Sequence, residues 1–307
     1  MKFLDTIANN RRPLMMLFCM VSGVVLYRPL SVVDSVTDHL IAPSLIFGML
    51  FVTFCRVRIR ELKFTWLQFA MILFQLIATP LSYFVFLPFG ELIAQGAMIC
   101  FLAPIAMAAV AVGALLGGRV TTIASYTLIC NLVIAIAAPY YLDTFGDGEC
   151  TLAQILWRVA PLLISPLVAA QLLKVVWRGA VEWIAAHSQM SFYMWLVSML
   201  ITLARTTGFV VEVRDEVPIM VGVGLALVAF VACAVQFVLG RKLGNYFGEP
   251  VAGTQSLGQK NTVLAVWLAQ SFLYPVSSIA PTAYIIWQNL ANSYQIFRHD
   301  RLRSKEE

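Results

Sequence analysis

Charge is scarce in this chain. Asp, Glu, Lys and Arg make up only 12% of its 307 residues, about half the share of an ordinary soluble domain. Histidine is scarcer still, with only His39, His187 and His299. The six cysteines, Cys19, Cys55, Cys100, Cys130, Cys150 and Cys233, are scattered with no Cys-x-x-Cys pair. No metal centre, redox motif or other cofactor site is expected from such a set, and the cysteines read as small apolar packing residues. A membrane enzyme would need a convergent nucleophile and base, or a metal cluster. The three histidines fall in predicted loops or at helix ends, so no enzyme is expected. The N-terminus, Met1-Lys2-Phe3-Leu4-Asp5 leading into Arg11-Arg12, lacks a clear small-residue cleavage site and does not resemble a cleaved signal peptide.

What the chain has is apolar sequence. Hydrophobic residues make up 60% of it and the mean hydropathy is +0.83. Ten runs, at approximately 13–28, 40–56, 66–88, 93–115, 120–142, 154–176, 190–211, 217–239, 251–273 and 278–298, are candidate membrane helices, each near the roughly 20 residues that a helical span needs. The sequence therefore predicts an all-α polytopic membrane protein with short loops. The formal charge of +5 does not imply nucleic acid, because the basic residues sort by loop. With both termini inside, Lys2, Arg11, Arg12, Arg56, Arg58, Arg60, Lys63, Arg119, Lys174, Arg178, Arg241, Lys242, Arg298, Arg301, Arg303 and Lys305 are cytoplasmic. Arg28, Arg158 and Arg214 are outside, as are the acidic clusters Asp143, Asp147, Glu149 and Glu212, Asp215, Glu216. That bias is what the positive-inside rule demands, and it favours an even number of spans. The aromatic residues Trp157, Trp177, Trp183, Trp195 and Tyr140-Tyr141 mostly fall near predicted interfaces, as an aromatic belt does.

Five spans fall in residues 1–150 and five in 151–307. The fourth span of each half is the most irregular, at Phe101-Leu102-Ala103-Pro104-Ile105-Ala106 and at Gly253-Thr254-Gln255-Ser256-Leu257-Gly258. Repeats with an odd number of spans must be inverted, and inverted repeats with interrupted helices are a recurrent plan for secondary transporters.

The remaining two basic residues, Arg205 and Lys260, lie within predicted spans. Lys260, in Ser256-Leu257-Gly258-Gln259-Lys260-Asn261-Thr262, lies near mid-depth, where a charge is expensive and by default functional. The polar neighbours Ser256, Gln259, Asn261 and Thr262 reinforce a site there. The plain alternative is a lysine held by a backbone carbonyl where the helix breaks. Arg205 lies nearer an outer end and suits snorkelling as well as substrate contact. Gln75, Ser44, Thr127 and Asn131 are single polar residues of the kind that often bond a neighbouring helix. Gln288, Asn292 and Gln295 share a helix face by spacing. They suit either the cytoplasmic end of a path or a wet helix end.

The ten spans, Pro104 before the fourth-helix break, and Gly258-Gln259-Lys260-Asn261-Thr262-Val263-Leu264-Ala265 resemble the bile acid:sodium symporter family over nearly the whole length. The resemblance implies a bacterial inner-membrane protein with a panel domain (spans 1, 2, 6 and 7) and a core domain (spans 3–5 and 8–10). Spans 4 and 9 would cross in the core, and core would move against panel to give alternating access. It also implies a small organic anion as substrate.

The sodium chemistry departs from the family. Its ninth-span glutamate and glutamine correspond here to Ser256 and Lys260. Its serine-asparagine pair after the crossover proline corresponds to Ala109-Val110, and its fifth-span serine to Ile123. Gln75 and Thr127 still match family ligands. A dehydrated cation needs a carboxylate or its equivalent, so sodium is not expected and no metal site is implied. Lys260 would stand in for the ion, with Gln75, Ser256 and local carbonyls accepting its hydrogen bonds. Half-helix N-termini at the breaks would add positive potential for an anion. A desolvated lysine can also give up its proton, which leaves proton coupling open. The alternatives are a sodium- or proton-coupled symporter and a non-transporting membrane sensor on the same fold. A channel would show continuous polar stripes, whereas polarity here gathers at the breaks. The lipid bilayer is the expected surrounding and a monomer the expected state.

Overall fold

The computed structural model describes residues 11–56, 64–106, 108–146, 151–187, 189–212 and 217–303. Lys2, Arg58, Arg60, Lys63, Asp147, Glu149, Arg214, Asp215, Glu216 and Lys305, on which part of the predicted loop-charge bias rests, lie outside the described residues.

Helices make up almost all of the described chain. In order they are α1 (Arg11–Val25), α2 (Tyr27–Val36), α3 (Ile41–Arg56), α4 (Trp66–Phe86), α5 (Glu91–Leu102), α6 (Ala108–Leu115) and α7 (Val120–Phe145). There follow α8 (Leu152–Val176), α9 (Arg178–Ala186), α10 (Gln189–Glu212), α11 (Ile219–Tyr246), α12 (Pro250–Gly258), α13 (Thr262–Phe272) and α14 (Ile279–Arg303). Among the described residues five segments are long and apolar enough to cross a bilayer: Trp66–Phe89, Val120–Phe145, Leu152–Val176, Gln189–Glu212 and Ile219–Tyr246. The chain is a polytopic, all-helical membrane protein.

The other five expected spans depart from a straight apolar helix, each for a visible reason. The first bends by 82° between Phe18–Val25 and Tyr27–Val36. Pro29 cannot donate to the Val25 carbonyl there, which opens the helical ladder at the bend. The expected limit at residue 28 is thus replaced by a second helix across residues 27–36. α3 is apolar but has only 16 residues. The fourth and ninth are broken, into α5 with α6 and α12 with α13. α14 is continuous, but Gln288, Asn289, Asn292, Ser293 and Gln295 lower its hydropathy, and two of these are used inside the protein. The short helix α9 was not foreseen; Trp177 and Trp183 on and beside it are exposed, as suits an interfacial helix.

Two packing groups follow from the helix contacts. α1, α2, α3, α8, α9 and α10 pack mainly on one another, and α4–α7 and α11–α14 form the second group. α7 against α8, and α10 and α3 against α13, join the groups. Residues 94–105 and 252–269, the two broken segments, are buried throughout, and so lie deepest in the molecule. α11 and α12 are pressed together through glycine: a Cβ on Gly253 would strike the Gly240 carbonyl, and one on Gly240 the Gly253 carbonyl. Small residues let membrane helices approach to backbone contact.

Candidate functional site

The two breaks meet. Ala103 is forced into extended backbone by Pro104, which excludes the helical region for the residue before it. In the second segment Gln259 is extended and Asn261 restarts the helix, its Oδ1 accepting from the Leu264 N–H at 3.2 Å. Between them Ile105 and Lys260 form an antiparallel bridge. The Ala106 N–H donates to the Gln259 carbonyl at 2.9 Å and the Asn261 N–H to the Pro104 carbonyl at 2.8 Å. Backbone groups released by one break are thereby satisfied by the other, which is the condition for irregular backbone at membrane depth.

Lys260 occupies the crossing and is 2% exposed. Its N–H donates to Gln288 Oε1 at 3.0 Å, which draws α14 to the site. Its ammonium donates to the Phe101 carbonyl at 3.4 Å. The carbonyl-held arrangement is therefore present, but it supplies one long bond to a group with three donors. Gln75 and Ser256, the expected acceptors, do not take the ammonium. Gln75 Nε2 is turned to the Leu102 and Ala103 carbonyls at 3.1 and 2.9 Å, and its Oε1 accepts from Tyr126 Oη at 3.0 Å. The ends of α5 compete for the same amide and offer it a better geometry. Ser256 Oγ is buried without a partner, as are Thr262 Oγ1 and the Oδ1 atoms of Asn131 and Asn292.

The remaining expected residues divide. Pro104, Gln259, Asn261 and Gln288 meet at the crossing by direct hydrogen bonds. Gln259 Nε2 also donates to Gln255 Oε1 at 2.6 Å, and Gln255 Nε2 to Gln295 Oε1 at 3.1 Å. Thr127 and Asn131 turn back on their own helix, to the Ile123 and Thr127 carbonyls. Of the positions that the resemblance would match to sodium ligands, Ala109 and Ile123 are fully buried and apolar, and Val110 is partly buried. Among the described residues no group of three or more His, Cys, Asp or Glu could hold a metal ion.

Several residues that carry the site were not singled out in the sequence. Tyr126, Gln236 and Tyr284 are buried beside the breaks. Gln236 Nε2 donates to the Cys100 carbonyl at 3.2 Å and Tyr284 Oη at 3.1 Å, and Tyr284 Oη donates to the Gly258 carbonyl at 2.9 Å. Gln75 and Gln236 thus both tend carbonyls at the end of α5, Tyr126 holds the Gln75 side chain, and Tyr284 reaches the last carbonyl of α12. A narrow crevice at Gln75 is lined by Ile72, Leu76, Cys130, Val133 and Ile134.

Arg205 lies away from the crossing, on the side of α10 that faces Asp34 of α2. Its neighbour Thr206 accepts from Gln270 Nε2 at 3.1 Å and lies 3.5 Å from Thr282 Oγ1, so α10 of one group is stitched to α13 and α14 of the other. One turn along, Leu203 and Met199 pack with Ile285.

Compared with known proteins, the chain matches no family model, and no curated protein gives a significant match.

Proposed function

We propose that this protein is a secondary transporter for a small organic anion, related to the bile acid:sodium symporters, and that it works without sodium. The α4–α7 and α11–α14 group is the moving core and the other helices are the panel, with the two halves of the chain as inverted repeats of five spans. The observation that carries this reading is the antiparallel crossing of two broken helices with the fully buried Lys260 at its centre. A midplane charge is retained where it does something. In this mechanism Lys260 supplies permanently the positive charge that a bound cation would supply in a sodium-coupled relative. The unfilled donors of its ammonium, with the start of α13 beside it, set the preference for a carboxylate. With Lys260 in place, Ala109, Val110 and Ile123 add no side-chain oxygen that could coordinate sodium.

The test is uptake into proteoliposomes from a panel of small organic acids, in sodium or potassium buffer, with and without a pH gradient. Uptake of at least one acid that is unaffected by replacing sodium supports the proposal. Strict sodium dependence contradicts the role given to Lys260, and no uptake of any acid under any gradient contradicts the transport reading.

A further inference from the structure

We propose that Arg205 is a second docking point for a carboxylate, between α10 and α2, with Asp34 facing the guanidinium while the site is empty. The proposal deepens the transport reading but has its own test. Arg205 is about three-quarters buried, its side chain 27% exposed. A guanidinium carries five N–H donors in a planar fork. Among the described residues none of the five makes a hydrogen bond. The nearest anion is Asp34, whose Oδ2 stands 4.0 Å from Arg205 Nε, an ion-pair distance too long for a hydrogen bond.

A merely structural Arg–Asp pair in this setting should close to about 2.7–2.9 Å and often becomes bidentate. This one does not: His39 takes one oxygen of Asp34, and the other is not turned to the guanidinium. The same Oδ2 lies 2.6 Å from His39 Nδ1, and Oδ1 has no partner although the side chain is only 3% exposed. His39 is held there by the turn after α2, where Asp38 and His39 both take positive φ. Asp34 therefore balances the charge of Arg205 without satisfying its donors. Unmet donors on a largely buried group are costly, and a planar carboxylate is the ligand that fits a guanidinium fork.

The position suits loading. Arg205 is partly open to solvent, and Thr206 next to it makes the Gln270 and Thr282 contacts between the two groups of helices. A carboxylate on Arg205 would sit on the α2 side of α10, one residue along the chain from these contacts. Asp34 opposes such an anion, and the half-exposed His39 gives its carboxylate an alternative partner.

The experiment is residue-specific modification of the full-length purified protein by phenylglyoxal, with labelling of Arg205 read by peptide mass spectrometry. Acetate, succinate and sulfate are compared at equal ionic strength. The carboxylates are expected to protect Arg205 and sulfate to protect it less. Asp34→Asn, which removes the internal competitor, should lower the half-protecting concentration about tenfold, within the usual range of coupling between sites. Equal labelling with and without carboxylates in the wild-type protein overturns the site, and equal protection by sulfate overturns the carboxylate assignment. Since protection is read without transport, a protein that protects Arg205 yet carries no acid would keep this site and defeat the transport reading alone.

Discussion

An ammonium removed from water calls for three acceptors, and among the described residues Lys260 has one, the Phe101 carbonyl at 3.4 Å. Folding would favour an apolar side chain of similar length in its place. Replacing buried charged groups by well-packed apolar ones is often stabilising. Lys260→Met should therefore raise the stability of the purified protein by roughly 1–3 kcal/mol, seen as a higher thermal midpoint, while anion uptake is lost. A lower midpoint would make the lysine a structural support instead. Gln75 predicts the opposite. Its amide holds the Leu102 and Ala103 carbonyls where α5 ends, and Tyr126 relies on its oxygen. Gln75→Leu should destabilise by about 1–3 kcal/mol, the cost of leaving buried polar groups unpaired, measurable in the same thermal assay. At this scale the sequence reveals which polar residues are buried but not where they point. Lys260 stood out because nothing bland explains a charge in an apolar run. Gln236, in Ala-Val-Gln-Phe-Val, gave the same kind of signal as Gln75 and was open to the same inference. Tyr126 and Tyr284 gave none, since their partners are a glutamine side chain and a backbone carbonyl brought near only by the fold.

The elements show where local chemistry decides and where it does not. Proline in Leu-Ala-Pro-Ile ends α5 by steric exclusion of the preceding residue, so the first break is legible. The second break has no proline; it was legible from a density of polar residues and is executed by Asn261 as a helix cap. The sharp turn between α1 and α2 is not legible, because the expected span ends at residue 28, one before Pro29, and a proline in the first turn of a helix is ordinarily tolerated. α9 was missed because nine residues carry too little pattern to separate a helix from a loop. The tightest element contact is between α11 and α12, where Gly240 and Gly253 meet backbone to backbone. Gly253→Ala forces a methyl group against a carbonyl that cannot rotate away. A loss of about 1–3 kcal/mol is expected, with α12 displaced and uptake reduced. Wild-type stability in Gly253→Ala would show that the two helices can slide apart, contrary to a rigid hairpin.

For the molecule as a whole, the claim is that one group of helices moves against the other, and cross-linking separates the two kinds of contact. Thr206 and Thr282 lie on different groups, 3.5 Å apart at their hydroxyls. Arg119 and Glu249 lie within one group, 2.7 Å apart, and tie the loop before α7 to the start of α12. A short thiol-reactive linker across Thr206→Cys and Thr282→Cys should arrest uptake, and reductive release of the linker should restore it. The same treatment of Arg119→Cys and Glu249→Cys should leave uptake intact, because those residues travel together. Arrest by both linkers would contradict this division into core and panel. The charge logic of the proposed transport rests on Lys260, and its most direct measurement is sodium dependence of uptake in the wild-type protein and in the double variant Ser256→Glu, Lys260→Gln, side by side in proteoliposomes. The expected result is sodium-independent uptake in the wild type and uptake that rises with sodium in the variant, where a carboxylate and an amide oxygen replace the fixed cation. Identical transport and ion dependence in the two proteins would contradict the assignment of a cation's role to Lys260.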